Sequence, residues 1–493
     1  MHSGGAGKIY LAVDLGAESG RAIAGRLNSG SLHVEEVHRF PNEPVEYGGS
    51  LHWDAARLWL EIQRALHIVR DTPLDGIAVD TWGVDYALLG EDGQLLQNPF
   101  HYRDGRTAGM MEAVFEVVGR DEIYTATGIQ FMPINTLYQL TAAARKNPRL
   151  LRAADRLITM PDLFHYWLSG NAVCEYTNAT TTQMVNPRTR TWTTAILDRL
   201  GIPSALPGTL VQPGTAVGSL LARVSSTLSG TPVIAPASHD TGSAVAAVSA
   251  REDTAFISSG TWSLVGIEVD APVITPEAQR LNFTNEGGVC GTTRLLKNVM
   301  GLWMLQGCRK SWAARGTSHE YRDLIRVAMR ERPFAHLVDP DNGRFLRPND
   351  MLRAIDTFCA ETQQAAPTTP GAYVRAVLES LALKYRRVIL EIEKLTGLEI
   401  RQIRVIGGGA RNELLNQMTA DAAGKRVLAG PVEATALGNI GMQMLATGAT
   451  SSLKESRAII DASYQTEVFE PYDTHKWDEQ AKVFEEYCEV RCA

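Results

Sequence analysis

Three glycine-rich turns, each placed directly after a predicted strand, carry the first recognisable chemistry in this sequence. They are DLGAESGR at residues 14–21, SGTW at residues 259–262 and GGGARN at residues 407–412. Small residues in such turns let backbone N–H groups approach phosphate oxygens closely. A single turn of this kind is more often a hairpin turn or a helix cap. Three of them in one chain favour a triphosphate-binding site.

The first of these turns also carries charged and hydroxyl side chains. Asp14 is suited to hold a magnesium ion through water, as carboxylates beside a triphosphate do. Ser19, Gly20 and Arg21 offer hydrogen-bond donors to the same phosphates. The turn at residues 14–21 is therefore predicted to bind phosphate together with a metal ion.

A second candidate segment is ASHDTGSAVAAV at residues 237–248, which follows a predicted strand at residues 232–235. Asp240 would be the base that accepts a proton from a substrate hydroxyl, and His239 would donate to that substrate. Two other interpretations remain open. Asp240 has the residue type of a helix N-cap, and a lone histidine such as His239 is more often a hydrogen-bonded core residue.

A third candidate segment is DTWGVD at residues 80–85, where a strand runs into a glycine turn. Gly83 would let a ligand touch the main chain, and Asp80 or Asp85 would hydrogen-bond a polyol. Trp82 is equally well explained as a core residue. Residues 129–140 (IQFMPINTLYQL) supply apolar and amide groups of the kind that line a small-sugar pocket.

Alternating strands and helices must position these segments, which predicts an α/β protein. Ser19 and Thr261 lie about half the chain apart, in similar strand–turn–strand contexts, so we expect two structurally similar halves. The predicted strands are residues 9–13, 22–27, 32–40, 76–80, 232–235, 254–258, 263–268, 403–406 and 426–428, and the main predicted helices are residues 53–69, 370–395, 413–423 and 434–446.

Composition excludes several classes of protein. The chain has 493 residues with a formal net charge of −7, without the basic excess that nucleic-acid binding requires. Its six cysteines form no CxxC or zinc-type pattern, and no apolar run is long enough for a membrane span. The common P-loop, GxGxxG, HExxH and GxSxG motifs do not occur. We therefore expect a cytoplasmic protein that binds neither nucleic acid nor membrane. As a separate expectation, we take the protein to be a monomer.

Taken in order, the motifs resemble those of the FGGY carbohydrate kinases, a family within the actin, hexokinase and heat-shock ATPase fold. The resemblance covers residues 9–450 and is strongest to the rhamnulokinase branch. It rests on VDLGAESGR, IAVDTWGVDYALL, YRDGRT, GIQFMPINTLYQL, ASHDTGSAVAA, SSGTWSL, NFTNEGGV, LKNVMGLWMLQ, GGGARNELLNQM and GPVEATALGNIG. It implies two similar RNase H-like α/β domains around a deep cleft, with a sugar-binding domain at residues 1–245 and a nucleotide-binding domain at residues 246–493.

The resemblance also implies a role for individual residues. The implied reaction transfers phosphate from ATP, with Mg²⁺, to the 1-hydroxyl of L-rhamnulose, as in rhamnose catabolism, and Asp240 would be the catalytic base. Sugar contacts would come from Gly83, His239 and Thr241, and the metal residue would be Asp14. The implied ATP-binding residues are Ala17, Glu18, Ser19, Gly20, Arg21, Thr261, Asn298, Gln306 and Gly408.

Departures from the family pattern and rival functions limit this interpretation. Glu18 stands where related kinases often have a small or hydroxyl residue, and we expect it to point outward, away from phosphate. The stretch MTADAA lacks the paired cysteines of some relatives, so no disulfide is expected. L-fuculose, L-xylulose, D-xylulose or glycerol are alternative substrates, and an ATPase clamp of the same fold is a rival. For a deoxy sugar, Trp53, Trp82, Phe131 and Met132 are candidates for an apolar wall.

Overall fold

The computed structural model describes residues 7–248 and 253–488. Most predicted strands are present, with ends extended by one to three residues. The strands are β1 Lys8–Leu15, β2 Ser19–Asn28, β3 Ser31–Pro41, β4 Val45–Tyr47, β5 Ser50–His52, β6 Gly76–Thr81, β7 Tyr86–Leu89, β8 Arg156–Thr159, β9 Cys174–Glu175, β10 Val185–Asn186, β11 Thr191–Trp192, β12 Leu210–Val211, β13 Thr215–Ser219, β14 Pro232–Ala235, β15 Thr254–Ser259, β16 Trp262–Val269, β17 Thr284–Gly287, β18 Thr293–Met300, β19 Gln402–Ile406, β20 Arg426–Ala429 and β21 Glu467–Phe469.

The predicted helices are likewise present, including the long helix that begins at a proline and ends before Gly397. The helices are α1 Ala55–Ile68, α2 Met110–Phe115, α3 Arg120–Thr127, α4 Thr136–Lys146, α5 Pro148–Ala153, α6 Met160–Ser169, α7 Tyr176–Thr180, α8 Thr194–Arg199, α9 Asp240–Ala246, α10 Pro276–Arg280, α11 Trp303–Ala314, α12 Tyr321–Ala328, α13 Met351–Glu361, α14 Pro370–Thr396, α15 Glu413–Ala423, α16 Ala434–Ala446, α17 Leu453–Ser463 and α18 Thr474–Cys488. None of the helices within the described ranges combines the length and apolar character of a membrane span.

The chain divides into two compact units that interleave along the sequence. The first unit contains Met1–Ala250, Glu268–Leu295 and Glu433–Gln465, and the second contains Arg251–Ile267, Leu296–Val432 and Thr466–Ala493. The predicted division at residues 245 and 246 stays a prediction. It differs from these units because two later segments pack with the first 250 residues.

The sheet of the first unit has the strand order β13-β14-β6-β1-β2-β3. Its central strand β1 pairs antiparallel with β2 and parallel with β6. Six consecutive residues of β1, from Tyr10 to Leu15, are buried, which is typical of a strand covered on both faces. The carboxyl ends of β1 and β6 therefore meet at one sheet edge.

The sheet of the second unit includes, in order, the strands β18-β16-β15-β19-β20-β21. Its strand β15 pairs antiparallel with β16 and parallel with β19, as β1 does with β2 and β6. A glycine-containing turn follows β15 at the position that residues 16–18 occupy after β1. This repeated topology agrees with the prediction of two similar halves.

Helix α16 packs inside the first unit, although it lies late in the sequence. Gly438 meets α9 so closely that a Cβ there would lie 1.7 Å from the carbonyl oxygen of Ser243. Gln443 Nε2 donates to the carbonyl oxygen of Leu11 at 3.1 Å, which ties the helix to β1. Helix α16 thus supports both the strand that carries Asp14 and the helix that begins at Asp240.

Candidate active site

Three carboxylates lie at the carboxyl edge of the first unit's sheet. Asp14 near the end of β1 is paired in register with Asp80 near the end of β6. Next to Asp80, Thr81 forms a parallel bridge with His239, and Asp240 follows as the first residue of α9. The fold therefore brings together acids that are far apart in the sequence, because carboxyl ends of parallel strands share one edge.

Asp14 is held by Arg21 from the neighbouring strand. The guanidinium donates from Nε at 2.9 Å and from Nη2 at 2.6 Å, and both bonds end on Oδ2 of Asp14. Arg21 Nη1 also lies 3.0 Å from Oε2 of Glu433. The charge of Asp14 raises the pKa of Arg21 above its usual value. Arg21 thus orients Asp14 in this structure, and its predicted role as a phosphate donor stays a prediction.

Asp80 is completely buried and has one oxygen without a partner. Oδ2 accepts a 2.6 Å hydrogen bond from Asn439 Nδ2, whereas Oδ1 has no hydrogen-bond partner among the described residues. Burial, followed by the charge of Asp14, raises the pKa of Asp80 well above its usual value. A buried oxygen in this state is costly unless a ligand or cation satisfies it.

The pair of Asp14 and Asp80 fits a hydrated magnesium ion. Mg²⁺ prefers oxygen ligands and commonly keeps several waters while one or two carboxylates hold it beside phosphate groups. The unpartnered Oδ1 of Asp80, beside the carboxylate of Asp14, supplies that chemistry. Within the described ranges no set of three or more His, Cys, Asp or Glu side chains could hold a metal. The donors here suit a metal that arrives with a phosphate substrate.

Asp240 presents one oxygen to the protein and one to its surroundings. Oδ1 accepts from the Thr241 backbone N–H at 2.6 Å and from its hydroxyl at 3.3 Å, and His239 Nε2 lies 3.5 Å from the same atom. The helix N-cap is His239, so Asp240 is not the capping residue. The carboxylate is 31% exposed, and desolvation raises its pKa. This arrangement suits a base that works through Oδ2.

The predicted sugar-contact residues are Gly83, His239 and Thr241. They lie in two chain segments, and the side chain of Asn178 hydrogen-bonds to both. Asn178 Nδ2 donates to the carbonyl oxygens of Trp82 and Ser238, at 3.1 and 3.4 Å. These carbonyls directly precede Gly83 and His239. Thr241 is the second residue of α9, so the structure brings all three residues into one region.

The aromatic residues proposed as an apolar wall are largely buried against one another. The rings of Trp53 and Trp82 are 3.9 Å apart, and the two side chains are 0% and 5% exposed. Both indoles donate to Oδ2 of Asp85, at 2.6 and 3.0 Å. Trp82 is therefore a core residue, and Asp85 holds the tryptophan pair in place of the predicted bond to a polyol. Of the four candidates, Met132 is half-buried and the three aromatic residues are buried.

The first phosphate-loop candidate is held in shape by Asn42. Its backbone N–H donates to the carbonyl of Glu18 at 3.0 Å, and its side-chain Nδ2 donates to the carbonyl of Gly16 at 2.8 Å. Glu18 is exposed, as expected, and Ala17 and Ser19 are half-buried. At Gly20 a Cβ would lie 2.3 Å from the ring of Phe40, so packing requires that glycine.

The second turn, with Thr261, belongs to the second unit and is fixed by the start of α11. The Leu302 and Trp303 N–H groups donate to the carbonyls of Gly260 and Thr261, both at 3.1 Å. One turn further along this helix, Gln306 carries a buried Oε1 that has no hydrogen-bond partner among the described residues. Thr261 and Gln306 are therefore brought to the same end of α11.

The third turn, at residues 407–412, lies against β15, the strand that leads into the second turn. A Cβ at Gly409 would meet the Ser259 hydroxyl at 2.0 Å, and Gly407 has φ +82°, so both positions need glycine. Gly408 is exposed, and a Cβ there would meet nothing within 4 Å. Asn298 is half-buried on β18, the strand beside β16. Gly408 and Asn298 thus share the second unit with Thr261 and Gln306.

Comparison with known proteins identifies the family. The N-terminal domain of the FGGY family of carbohydrate kinases matches residues 9–247, and the C-terminal domain of that family matches residues 255–447. The chain belongs to the FGGY family of carbohydrate kinases. The resemblance drawn from the motifs is confirmed, and so is the prediction that this protein is a carbohydrate kinase.

This FGGY kinase has similar relatives over nearly its whole length. It is 46% identical to Rhamnulokinase of Bacteroides thetaiotaomicron over 474 residues, which are 95% of this chain and 97% of the relative. It is 42% identical to Rhamnulokinase of Oceanobacillus iheyensis over 457 residues, with 92% and 96% coverage. The crystal structure of gluconate kinase from Lactobacillus acidophilus aligns with TM-score 0.80 and 18% identity over 98% of this chain and 97% of that one. That likeness shows the fold alone, and it confirms the two-domain α/β prediction.

Several polar residues of the kinase site escaped the sequence analysis. They are Glu175, Glu286, Arg294 and Asn439, all at most 3% exposed. Glu286 and Asn439 lie within motifs that carry the resemblance, NFTNEGGV and GPVEATALGNIG, which is a signal for them. Glu175 lies in no such motif. The five cysteines in the described ranges are free, and Cys492 lies outside those ranges.

Proposed function

We propose that this kinase transfers the γ-phosphoryl group of ATP to the 1-hydroxyl of L-rhamnulose, giving ADP and L-rhamnulose 1-phosphate. The relatives named rhamnulokinase support this substrate, since they match over almost the full chain at 46% and 42% identity. The observation that carries the reaction type is Asp240, whose Oδ1 is engaged by its neighbours while Oδ2 is left for a substrate.

Asp240 would act as the general base. A primary hydroxyl within hydrogen-bond reach of Oδ2 would pass its proton to that oxygen as the hydroxyl oxygen attacks phosphorus. The raised pKa of Asp240 makes its ionised form a stronger proton acceptor. Phosphoryl transfer needs little more from the protein than in-line positioning and compensation of the phosphate charge. His239, Thr241 and Gly83 would hold the sugar.

ATP and magnesium would use the remaining predicted residues. Asp14 would hold the metal, with Asp80 as a further oxygen donor, and the bound metal would supply charge neutralisation for the phosphates. The nucleotide contacts would come from Ala17, Glu18, Ser19, Gly20, Arg21, Thr261, Asn298, Gln306 and Gly408. Gly408 supports this assignment because its exposed backbone has open space beside it.

The other ketoses and the non-metabolic ATPase clamp remain alternatives with different kinetics. An apolar contact to a methyl group discriminates by only about 1–3 kcal/mol, so modest turnover of L-fuculose or L-xylulose is expected. A clamp would hydrolyse ATP at a rate that sugars do not change. Four further expectations stay predictions. They are the monomeric state, the absence of nucleic-acid and membrane partners, the cytoplasmic location and the division into domains at residue 245.

The deciding experiment is an ADP-release assay across L-rhamnulose, L-fuculose, L-xylulose, D-xylulose and glycerol, with Mg²⁺ and with excess EDTA. L-Rhamnulose is expected to give the highest kcat/KM, and phosphate should be found on its 1-hydroxyl by NMR. EDTA should abolish turnover. A higher kcat/KM for another acceptor would replace the substrate, and ADP release that is independent of every sugar would favour the clamp.

A further inference from the structure

His239 lies between two acids, only one of which the proposed reaction uses. Its Nε2 is 3.5 Å from Oδ1 of Asp240, and its Nδ1 is 3.2 Å from Oε2 of Glu286. The side chains of His239 and Glu286 are 9% and 4% exposed. The imidazole therefore has a carboxylate near each of its two nitrogens, which restricts its orientation.

A buried arginine holds Glu286 and His239 from the other side. Arg294 is 0% exposed, and its Nη2 lies 3.3 Å from Oε2 of Glu286 and 3.3 Å from Nδ1 of His239. Its Nε donates to the carbonyl oxygen of Gly287 at 2.9 Å, which fixes the guanidinium beside β17. The negative charge of Glu286 compensates the buried guanidinium, so neither group is left as an isolated charge.

The buried carboxylate of Glu175 holds the backbone at Ser238 and His239 through hydrogen bonds. Glu175 Oε2 accepts from the Ser238 N–H at 3.0 Å and from the Thr177 hydroxyl at 2.6 Å. The Thr177 oxygen in turn accepts from the His239 N–H at 3.2 Å. The main chain before Asp240 is therefore anchored by two hydrogen bonds, and the orientation of the imidazole is set by its own side-chain contacts. Glu286 and Arg294 are the groups that restrict it.

We propose that Glu286, together with Arg294, is a positioning residue for phosphoryl transfer. Glu286 pairs with Arg294, whose Nη2 donates to Nδ1 of His239, and this leaves the Nε2–H of His239 directed at Oδ1 of Asp240. This proposal rests on the proposed function. It states that Glu286 affects turnover through Asp240 and does not contact the sugar. With Oδ1 occupied, Oδ2 is the oxygen that faces the substrate hydroxyl. Loss of the Glu286 charge releases Arg294 and the ring, so that Oδ1 of Asp240 keeps only its Thr241 bonds and the direction of the carboxylate is less well fixed.

The test uses Glu286→Gln in the full-length kinase with its best acceptor from the ketose panel. We expect kcat to fall about 10- to 100-fold, the size typical for residues that orient a catalytic group, while KM for the sugar changes less than about threefold. The matched control is Glu379→Gln. Glu379 is also a buried acid paired with an arginine, Arg375 at 2.7 Å, and it lies on α14 in the second unit. Its kcat should equal that of the wild type.

A double-mutant cycle separates positioning from general damage to the fold. If Glu286 acts through Asp240, adding Glu286→Gln to Asp240→Asn should cause no further loss of turnover. A full additional loss in that background, or a wild-type kcat in the single variant, would overturn the proposal. If Glu286→Gln does not fold, Glu286→Asp tests the same contact, because it keeps the charge but withdraws the carboxylate from Arg294 and His239. A lowered kcat at little changed sugar KM supports positioning, and a wild-type kcat contradicts it.

This design also separates the inference from the proposed substrate. A wild-type kinase that prefers another ketose refutes L-rhamnulose but leaves the cycle measurable with that ketose. A wild-type kinase that prefers L-rhamnulose, with Glu286→Gln equal to it, refutes only the role of Glu286.

Discussion

Replacing Asp85 by alanine should strongly destabilise the first unit, because this buried carboxylate is the common acceptor of four donors. Oδ2 accepts from Trp53 Nε1 at 2.6 Å, Trp82 Nε1 at 3.0 Å and the Tyr102 N–H at 3.2 Å, and Oδ1 accepts from Gln139 Nε2 at 2.9 Å. A buried donor left without an acceptor costs about 1–3 kcal/mol. Allowing for rearrangement, we expect Asp85→Ala to lower the free energy of unfolding by about 4 kcal/mol.

Asp85→Asn provides an internal comparison. An asparagine keeps one oxygen for the three donors at Oδ2, but its NH₂ group then faces the NH₂ group of Gln139. Gln139 cannot simply turn over, since its Oε1 accepts a 2.6 Å bond from Arg106. One hydrogen bond is therefore lost, and the expected cost is about 1–2 kcal/mol. The order of stability should be wild type, then Asp85→Asn, then Asp85→Ala.

Asp85 should make the free energy of unfolding depend on pH, with a smaller contribution at higher pH. Burial raises the pKa of Asp85 to about 6 in the folded protein, and its hydrogen bonds lower it only in part. The unfolded value is about 3.9. Between these values the folded state binds more protons, so the contribution of Asp85 to the free energy of unfolding decreases as pH rises from about 4 to about 6. The difference between wild type and Asp85→Ala should therefore be larger at pH 4 than at pH 7, by about 2 kcal/mol.

The assay is urea unfolding at pH 4 and pH 7 followed by tryptophan fluorescence, to which Trp53 and Trp82 contribute two of the nine tryptophans. Asp92→Ala, which removes only an exposed turn bond to Gln94, is the control and should leave the midpoint unchanged. A midpoint for Asp85→Ala equal to that of the wild type would show that the four bonds do not hold this region together.

Three further substitutions test other parts of the kinase. Asp240→Asn should lower kcat about 10²- to 10⁴-fold in the ADP-release assay, with little change in sugar KM, and near-normal turnover would reject the base. Gly408→Ala should keep the wild-type unfolding midpoint, because its Cβ meets nothing within 4 Å. The same substitution should raise KM for ATP, and an unchanged KM would show that Gly408 does not belong to the nucleotide site. Gly438→Ala should lower the melting temperature sharply, because its Cβ would lie 1.7 Å from the Ser243 oxygen, and a wild-type melting curve would contradict that close packing.

Local patterns were sufficient to predict most secondary structure. The predicted helix at residues 434–446 is α16 with the same ends, and the predicted strand at residues 232–235 is β14. These segments carry apolar periodicity and clear end signals. Nothing in that pattern shows with which unit α16 packs, because helix periodicity gives the buried face but not the partner that covers it.

The candidate site was predictable only where a motif and a strand end coincide. Asp14 and Asp240 follow apolar strands, so their position could be inferred from the sequence alone. Asp85 also follows an apolar strand, but its carboxylate accepts hydrogen bonds from two indoles. Asn439 donates to Asp80 across 359 positions of the chain. Such pairings depend on tertiary packing, which a single sequence does not reveal.

The late position of α16 has a consequence for how the chain is made. Residues Glu433–Gln465 complete the first unit, but they are synthesised only after the bulk of the second. At about 5–20 residues per second, the nascent first unit waits roughly 10–40 s for this piece. During that interval Asp80 lacks Asn439, and the surface that α16 covers stays open to water. We expect chains that stop before Glu433 to need a chaperone to stay in solution.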